Sequence, residues 1–419
     1  MADFKEKLLT WGNSFPDIVW LDSNLDSSEN TEFEAVLAVE AFTAIKTDYQ
    51  NAFDKLKEYQ QTTKDWIFGY LSYDLKNDVE RLKSSNYDGL QFPDLYFYQP
   101  QKLVFLTDNM ADFVYLRMVD DEIEIDFEEI QNCKFKTEKS EGRIEIQSRI
   151  SKQEYLEKVG AMLEHIHRGD IYEANLCQEF FSENVDLDAF SIYQSLNEIS
   201  TPPFAAFLRL ENINLVSASP ERYLRKKGDQ LLTQPIKGTA RRSSNPEEDK
   251  KIALNLAQDP KEMSENVMIV DLVRNDLSRI AEKGSVKVDE LCKVYSFKQV
   301  HQMISSVTAT IAEGIEPVEA LRTSFPMGSM TGAPKISAMN IIEKLESTKR
   351  GLYSGAVGYF SPEGDFDFNV VIRSILYNST NKYLSFSVGG AITAKSDPEK
   401  EYEECLLKSR ALREVLENL

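Results

Sequence analysis

A chain of 419 residues with 42% hydrophobic content can bury a large core, in two or three domains or in one composite domain. Its formal net charge of −21 argues against nucleic acid and anionic membrane surfaces as partners. The four cysteines lack CxxC spacing, the three histidines form no HExxH pair, and no apolar run reaches membrane-spanning length. These features, with the charged start Met-Ala-Asp-Phe-Lys-Glu-Lys, imply a cytoplasmic chain with reduced thiols, no zinc centre and no membrane span.

Residues 1–145 read as a first unit. Leu21-Asp22-Ser23-Asn24 is a polar turn after Ile18-Val19-Trp20, and helical periodicity runs through Phe33–Ala44 and again through the next charged stretch. Ile67–Asp74 reads as a strand, with Leu95–Tyr98 and Leu103–Leu106 as two short ones. The acidic stretch Glu122–Glu141 reads as a linker or surface excursion, which places a boundary at about 145–150.

The second unit, 150–419, opens on a capping box, Ser151-Lys152-Gln153-Glu154, that starts a helix through His167 and ends at Gly169-Asp170. Ile171–Phe181, Phe204–Arg209 and Leu215–Ser217 follow as strands. A hairpin with a three-residue loop at Gly228-Asp229-Gln230 would then set Glu221 opposite Lys237. A two-residue loop shifts the register by one and leaves them neighbours. Taken alone, this pair is equally an ordinary cross-strand ion pair, worth at most about 1 kcal/mol.

Arg241–Glu248 reads as a polar loop. Asp259-Pro260-Lys261-Glu262 starts a helix, with Asp as N-cap and Pro at the first helical position, and Asp397-Pro398 starts the last helix in the same way. Glu262 and Glu265 share a face of the first helix, and Glu401 and Glu404 share a face of the second. Leu406, Leu412, Val415 and Leu419 supply the last helix's buried stripe. Two such faces can hold a hard divalent cation; each by itself is also what a solvated helix face looks like.

Between these helices, Phe325–Lys335 places two glycines four apart, with hydroxyls between them and a proline at a helix start. That pattern exposes backbone amides to an anion, or is a plain tight turn; it lacks the ending of a P-loop, which excludes a nucleotide enzyme of that type. A strand over Phe368–Leu376 carries Arg373, which needs an anionic partner or a route to solvent. Leu384–Val388 is the last strand, before the turn Gly389-Gly390-Ala391. There is no internal repeat and no low-complexity tract.

Pro235-Ile236-Lys237-Gly238-Thr239, the Glu265–Leu277 block, Thr331-Gly332-Ala333-Pro334-Lys335 and Ser396–Tyr402 together resemble the chorismate-utilising enzymes. The resemblance covers about 150–419 and continues more weakly through Phe68–Asp74. It implies an α/β fold of the α+β type: two large antiparallel sheets packed as a sandwich, with helices outside and the site in a cleft. It further implies Mg²⁺ held by Glu262, Glu265, Glu401 and Glu404 against the substrate's ring carboxylate. Tyr353 and Arg373 would grip the enolpyruvyl carboxylate. Thr239, His301, Ser329, Thr331, Gly332, Gly389, Gly390 and Lys408 would line the substrate.

Within that family, Lys237 resembles the aminodeoxychorismate synthases, because anthranilate synthases carry Pro-Ile-Ala-Gly-Thr there. The implied reaction joins chorismate and ammonia into 4-amino-4-deoxychorismate, the precursor of 4-aminobenzoate and folate. Lys237, its ammonium disfavoured by desolvation, would be the nucleophile at C2, and Glu221 the acid for the C4 hydroxyl. The chain carries no glutaminase region, so the resemblance implies a separate glutamine amidotransferase subunit. Anthranilate synthase component I and a non-catalytic chorismate- or partner-binding protein are the alternatives. Three positions depart from the family pattern. Glu173 stands where amine-adding members have glutamine and water-adding ones lysine. Ala391 replaces a common glycine. Asp22 shortens the acid of a Leu-Glu-Ser segment that binds feedback tryptophan in anthranilate synthases.

Overall fold

Alternating burial along the strands organises the molecule. In Ile18–Asp22, Val19 faces one apolar core while Ile18 and Trp20 face another. In Ala35–Thr47, Val36 and Ala38 face the first core, and Leu37 and Val39 the second. Successive side chains of a strand point to opposite faces, so a stretch apolar at every position must be covered on both. The helix expected over Phe33–Ala44 is therefore a strand, because neighbours in this run are buried on opposite sides. The helix expected in the following charged stretch is present as Ala52–Thr63.

The structure, a computed structural model, describes residues 2–24, 31–134, 144–298 and 300–417. All pairings between its strands are antiparallel, and they form two sheets joined along one strand. The first sheet runs, in spatial order, Met110–Tyr115, Leu95–Thr107, Ala35–Thr47, Ile18–Asp22, Phe204–Leu210, Ile213–Ser219, Ser374–Asn378, Tyr383–Thr393 and Glu173–Ser182. The second runs Ile67–Leu71, Ala356–Phe360, Phe366–Asn369, Arg222–Lys227, Gln230–Gln234, Val300–Thr310 and Lys287–Ser296. Ile236–Arg241 continues beside Val300–Thr310.

The joint is Leu95–Thr107, expected as two short strands and found as one long one. It pairs Ile67–Leu71 at its start and Met110–Tyr115 at its end. Both sheets combine strands from 1–145 and from 150–419, which meet where Ile18–Asp22 pairs Phe204–Leu210 and Ile67–Leu71 pairs Ala356–Phe360. Val19, Ala38 and Leu208 of the first sheet share a core with Phe68, Leu231 and Phe368 of the second. On the first sheet's other face, Leu8, Tyr155, Ile192, Ile341 and Leu412 bring in five helices. This is the expected sandwich of antiparallel sheets with helices outside.

Several local expectations change. Glu122–Glu141 contains the helix Ile123–Asn132, anchored by the fully buried Ile130, while 135–143 lie outside the described residues. Helix Pro246–Ala257 occupies part of the expected polar loop, with Asn245 accepting from the amides of Glu247 and Glu248. In the last helix Cys405 is buried and Leu406 is 38% exposed, so the stripe runs through Cys405, Leu412 and Val415; Leu419 lies outside the described residues. No helix among the described residues is long and apolar enough to cross a membrane.

Phe97 sits on the shared strand, with its ring 6.0 Å from that of Phe368 in the second sheet. Phe97→Ala is expected to cost about 3–5 kcal/mol in urea unfolding. Met110→Ala, on an exposed edge, should stay within ~0.5 kcal/mol of the parent. Equal effects would mean that the seam carries no special share of the core.

Candidate active site

Lys237 lies at a break in its strand. Ile236 pairs with Ile304 and Thr239 with Gln302, so the register slips over Lys237 and Gly238. A bulge of this kind bends the strand and redirects a side chain. Gly238 has φ +87°, and a Cβ there would stand 3.1 Å from Glu262 Oε2. Glycine thus serves both the left-handed backbone and the close approach of the Pro260–Ser278 helix.

The hairpin before it differs from the expected register. Lys227 pairs with Gln230, which gives a two-residue loop, and a second irregularity lies between Arg222 and Arg225. Glu221 therefore precedes the ladder and is not Lys237's directly opposed partner. The charges of Lys237 and Arg373 nevertheless both favour Glu221's ionised form, as does the Ser329 hydroxyl. Burial opposes all three and pushes the Glu221 carboxyl up to about 7. Glu221, Gly328 and Ser329 wall a cavity with Val273 and Asp276.

Arg373 is not within a strand. The chain leaves Phe366–Asn369 and re-enters at Ser374–Asn378, and Arg373 holds φ +52° between them. A non-glycine residue in that region marks a locally constrained backbone. Among the described residues its guanidinium has no hydrogen bond or ion pair; burial lowers its pKa, against the attraction of Glu221.

Lys237 is mostly buried, with Nζ 3.7 Å from Glu173 Oε1. Burial disfavours its ammonium, as expected. Glu173, Glu265, Glu221 and Glu404 outweigh burial and hold the pKa above the ordinary value. The expectation of a desolvated free amine is corrected on this point: the resting lysine is an ammonium among carboxylates. Glu173 is itself buried, and its Oε2 has no hydrogen-bond partner among the described residues.

The two glutamate-bearing helices converge here. Asp259 caps the first through the amides of Lys261 and Glu262, and Asp397 accepts from the Lys400 amide in the second. Burial pushes Glu265 up to about 7 against Lys237 and Lys261, and it raises Glu262 and Glu401 with help from Glu404. Burial also opposes charge on Glu404, but Lys408, at 2.8 Å, and Lys261 outweigh it and hold that carboxyl below the usual range.

Gly389 and Gly390, expected in a turn, lie inside the strand Tyr383–Thr393, paired with Cys177 and Leu176. A Cβ on Gly390 would stand 3.4 Å from Glu401 Oε2, 3.7 Å from Lys408 Nζ and 3.8 Å from Glu404 Oε1. Lys408 Nζ also donates to the Gly389 carbonyl at 2.9 Å.

The other expected residues make the following contacts. His301 Nε2 meets Asp249 Oδ1 at 3.0 Å and its Nδ1 meets Ser296 Oγ at 2.8 Å. Thr331 donates within its own loop, to the carbonyls of Met327 and Gly328. Tyr353 is buried, with its hydroxyl 3.6 Å from Cys177 Sγ, and Thr239 is exposed on its strand. Gly332 pairs with Ala174. Asp22 is paired with Lys5 at 2.6 Å and, with Phe33 and Tyr359, lines a separate cavity.

The sequence reading missed Lys261 and Asp249. Lys261 stands four residues before Glu265, a spacing readable from the helix start, and its Nζ lies 3.8 Å from Glu265 Oε1. Asp249 lies on the unread helix and is held by Arg242.

As donors, the four glutamates are hard oxygens suited to Mg²⁺, and Glu265 Oε1 is buried without a hydrogen-bond partner among the described residues. Among the described residues no three or more Asp, Glu, His or Cys side chains are grouped closely enough to hold a metal ion by themselves.

Comparison with known proteins places the chain as follows. Residues 18–414 match the family model described as chorismate binding enzyme. The chain is 37% identical over 364 residues to anthranilate synthase component 1 of Thermus thermophilus, covering 84% of this chain and 77% of that protein. It is 41% identical over 271 residues to aminodeoxychorismate synthase component 1 of Escherichia coli, covering 65% of this chain and 59% of that protein. The matches to aminodeoxychorismate synthases span less than two thirds of those proteins' length. Among solved structures, anthranilate synthase component I from Streptococcus pneumoniae superposes with TM-score 0.80 at 25% identity, covering 92% of this chain and 93% of that one.

A carboxyl raised from its ordinary value to about 7 costs stability once it must ionise. Across that interval the folded chain holds a proton that the unfolded chain has released. The penalty is absent in acid and complete above the folded-state value. Glu221→Gln should therefore be more stable than the parent at about pH 8, by on the order of 1–3 kcal/mol, with the gap closing toward pH 5. Urea unfolding at the two pH values checks this; a gap independent of pH would rule it out.

Proposed function

The chain belongs to the chorismate binding enzyme family, and from that premise we propose that it is an aminodeoxychorismate synthase acting on chorismate and ammonia. The observation that carries this reading is a buried lysine, Lys237, aimed by a strand bulge into a site it shares with the raised carboxyl of Glu221. A lysine and an acid so placed can work on two carbons of one small ring. The longer match to an anthranilate synthase keeps that activity as the alternative.

In the proposed reaction Glu173 accepts a proton from the Lys237 ammonium, and the free amine bonds to C2 of the ring. Both conjugated ring double bonds shift as the C4–O bond breaks, and Glu221 delivers its proton so that water leaves. Ammonia then bonds to C4 and yields a proton to the Glu221 carboxylate, both double bonds shift back, and the C2–Lys237 bond breaks to return the amine. Arg373, facing Glu221, supplies the cation for a substrate carboxylate. Mg²⁺ bound near Glu262, Glu265, Glu401 and Glu404 would supply charge neutralisation for the ring carboxylate. Ammonia is proposed to come from a glutamine amidotransferase subunit, in keeping with the component 1 name of the bacterial relatives.

The test is a product assay with chorismate, Mg²⁺ and ammonium, resolved by chromatography and mass. The expected product is 4-amino-4-deoxychorismate, lost at least ~100-fold in Lys237→Ala. Anthranilate with pyruvate would establish the alternative, and binding without turnover would establish a non-catalytic chorismate-binding protein. Glu173→Gln should retain chorismate binding but lower kcat by about 10-fold or more, as expected for a proton acceptor. An unchanged kcat would remove Glu173 from the mechanism.

A further inference from the structure

Beneath the site lies a buried ion pair to which the proposed reaction gives no role. Arg350 and Glu346 are both almost fully buried, one helical turn apart in sequence, with Arg350 NH2 2.7 Å from Glu346 Oε1 and Nε 2.9 Å from Oε2. The Arg350 guanidinium stacks 4.5 Å from the centroid of the Tyr73 ring, which fixes its plane.

Its remaining donors go to two main-chain carbonyls and, at 3.4 Å, to the Ser354 hydroxyl. NH1 donates to Met330 O at 2.6 Å and NH2 to Asn175 O at 2.9 Å. Glu346 Oε1 in turn accepts the Cys177 amide at 2.9 Å. Asn175 ties the same two segments directly: its amide donates to Thr331 O at 2.8 Å and its Nδ2 to Ser329 O at 3.1 Å. Three successive carbonyls of the loop, from Ser329 to Thr331, are thus bound to Arg350 or to Asn175.

The segments so joined carry the partners of both reacting groups. Met330 follows Ser329, which lines the same cavity as Glu221. Asn175 lies two residues beyond Glu173, which faces Lys237. Side chains two apart on a strand share a face and move together. We propose that Arg350, held by Glu346 and Tyr73, is a positioning residue that sets the distance between the Ser329–Glu221 and Glu173–Lys237 pairs. A planar five-donor fork bound at both edges can hold two carbonyls at fixed separation; an ammonium on a flexible stem cannot. The inference rests on the aminodeoxychorismate synthase reading.

The test compares Arg350→Lys and Asn175→Ala with the parent, using ammonium as amine donor. Arg350→Lys keeps the charge beside Glu346. Asn175→Ala removes the parallel tie to Ser329 and leaves the ion pair intact, so it reports even if the first variant does not fold. Expected for the folded variants is a kcat lowered ~10- to 100-fold with KM within about threefold of the parent. The alkaline limb of the kcat profile should also move up, because a displaced Ser329 no longer favours Glu221's ionised form. A role in stability alone would lower the melting temperature and leave both kcat and that limb in place, and this result overturns the proposal. A parent chain that forms no 4-amino-4-deoxychorismate fails the functional reading and removes the proposal's basis. A parent that forms it beside variants with parental kcat fails the proposal alone.

Discussion

The site depends on one buried cation among carboxylates. Lys237 faces Glu173, Glu265, Glu221 and Glu404, and their attraction exceeds the cost of burying its charge. Each of those groups is carried by a different element, so the lysine joins a sheet edge, a loop, and the helices Pro260–Ser278 and Pro398–Glu417. Removing a charge from the middle of such a set leaves the others uncompensated, and this is why the set has to be considered together.

Bringing them together is the work of the joined sheets. Glu173 begins the last strand of the first sheet, while Lys237 lies on a strand of the second. The shared strand Leu95–Thr107 sets the two sheets against one another, and the helices bring their glutamates to the rim. Gly238 and Gly390 are where backbone and carboxylate come closest, so the strand edges at these points carry no side chain that would hold the helices away.

Much of this was legible from local chemistry. Helix starts at Ser151, Asp259 and Asp397 follow from side-chain capping, which acts within a few residues and needs no tertiary context. The same signature at Asn245-Pro246 is obscured by the surrounding polar residues, which read as loop. Phe33–Ala44 was misread because a strand buried on both faces has no alternation, and periodicity alone then cannot separate it from a helix. The Glu221–Lys237 register depended on two bulges, which the residues themselves do not announce. Arg373's left-handed backbone was likewise invisible, since the surrounding apolar residues all favour a strand. Arg350 stayed out of view because its partners are main-chain carbonyls distant in sequence.

Charge balance gives the physical case for the proposed metal. Six carboxylates, Glu173, Glu221, Glu262, Glu265, Glu401 and Glu404, stand against four cations, Lys237, Lys261, Lys408 and Arg373. Burial raises Glu221 and Glu265 to about 7, so near neutral pH a good part of that excess is held as protons. A dicarboxylate entering such a site adds negative charge where the balance is already negative or barely even. Lys261 and Lys408 meet part of that demand, but each is already engaged with a glutamate. A divalent cation entering with the substrate would restore the balance and leave Lys237 free to give up its proton. On this argument the proposed metal and the substrate would bind as one electrostatic unit, with the four glutamates spaced for the loaded site.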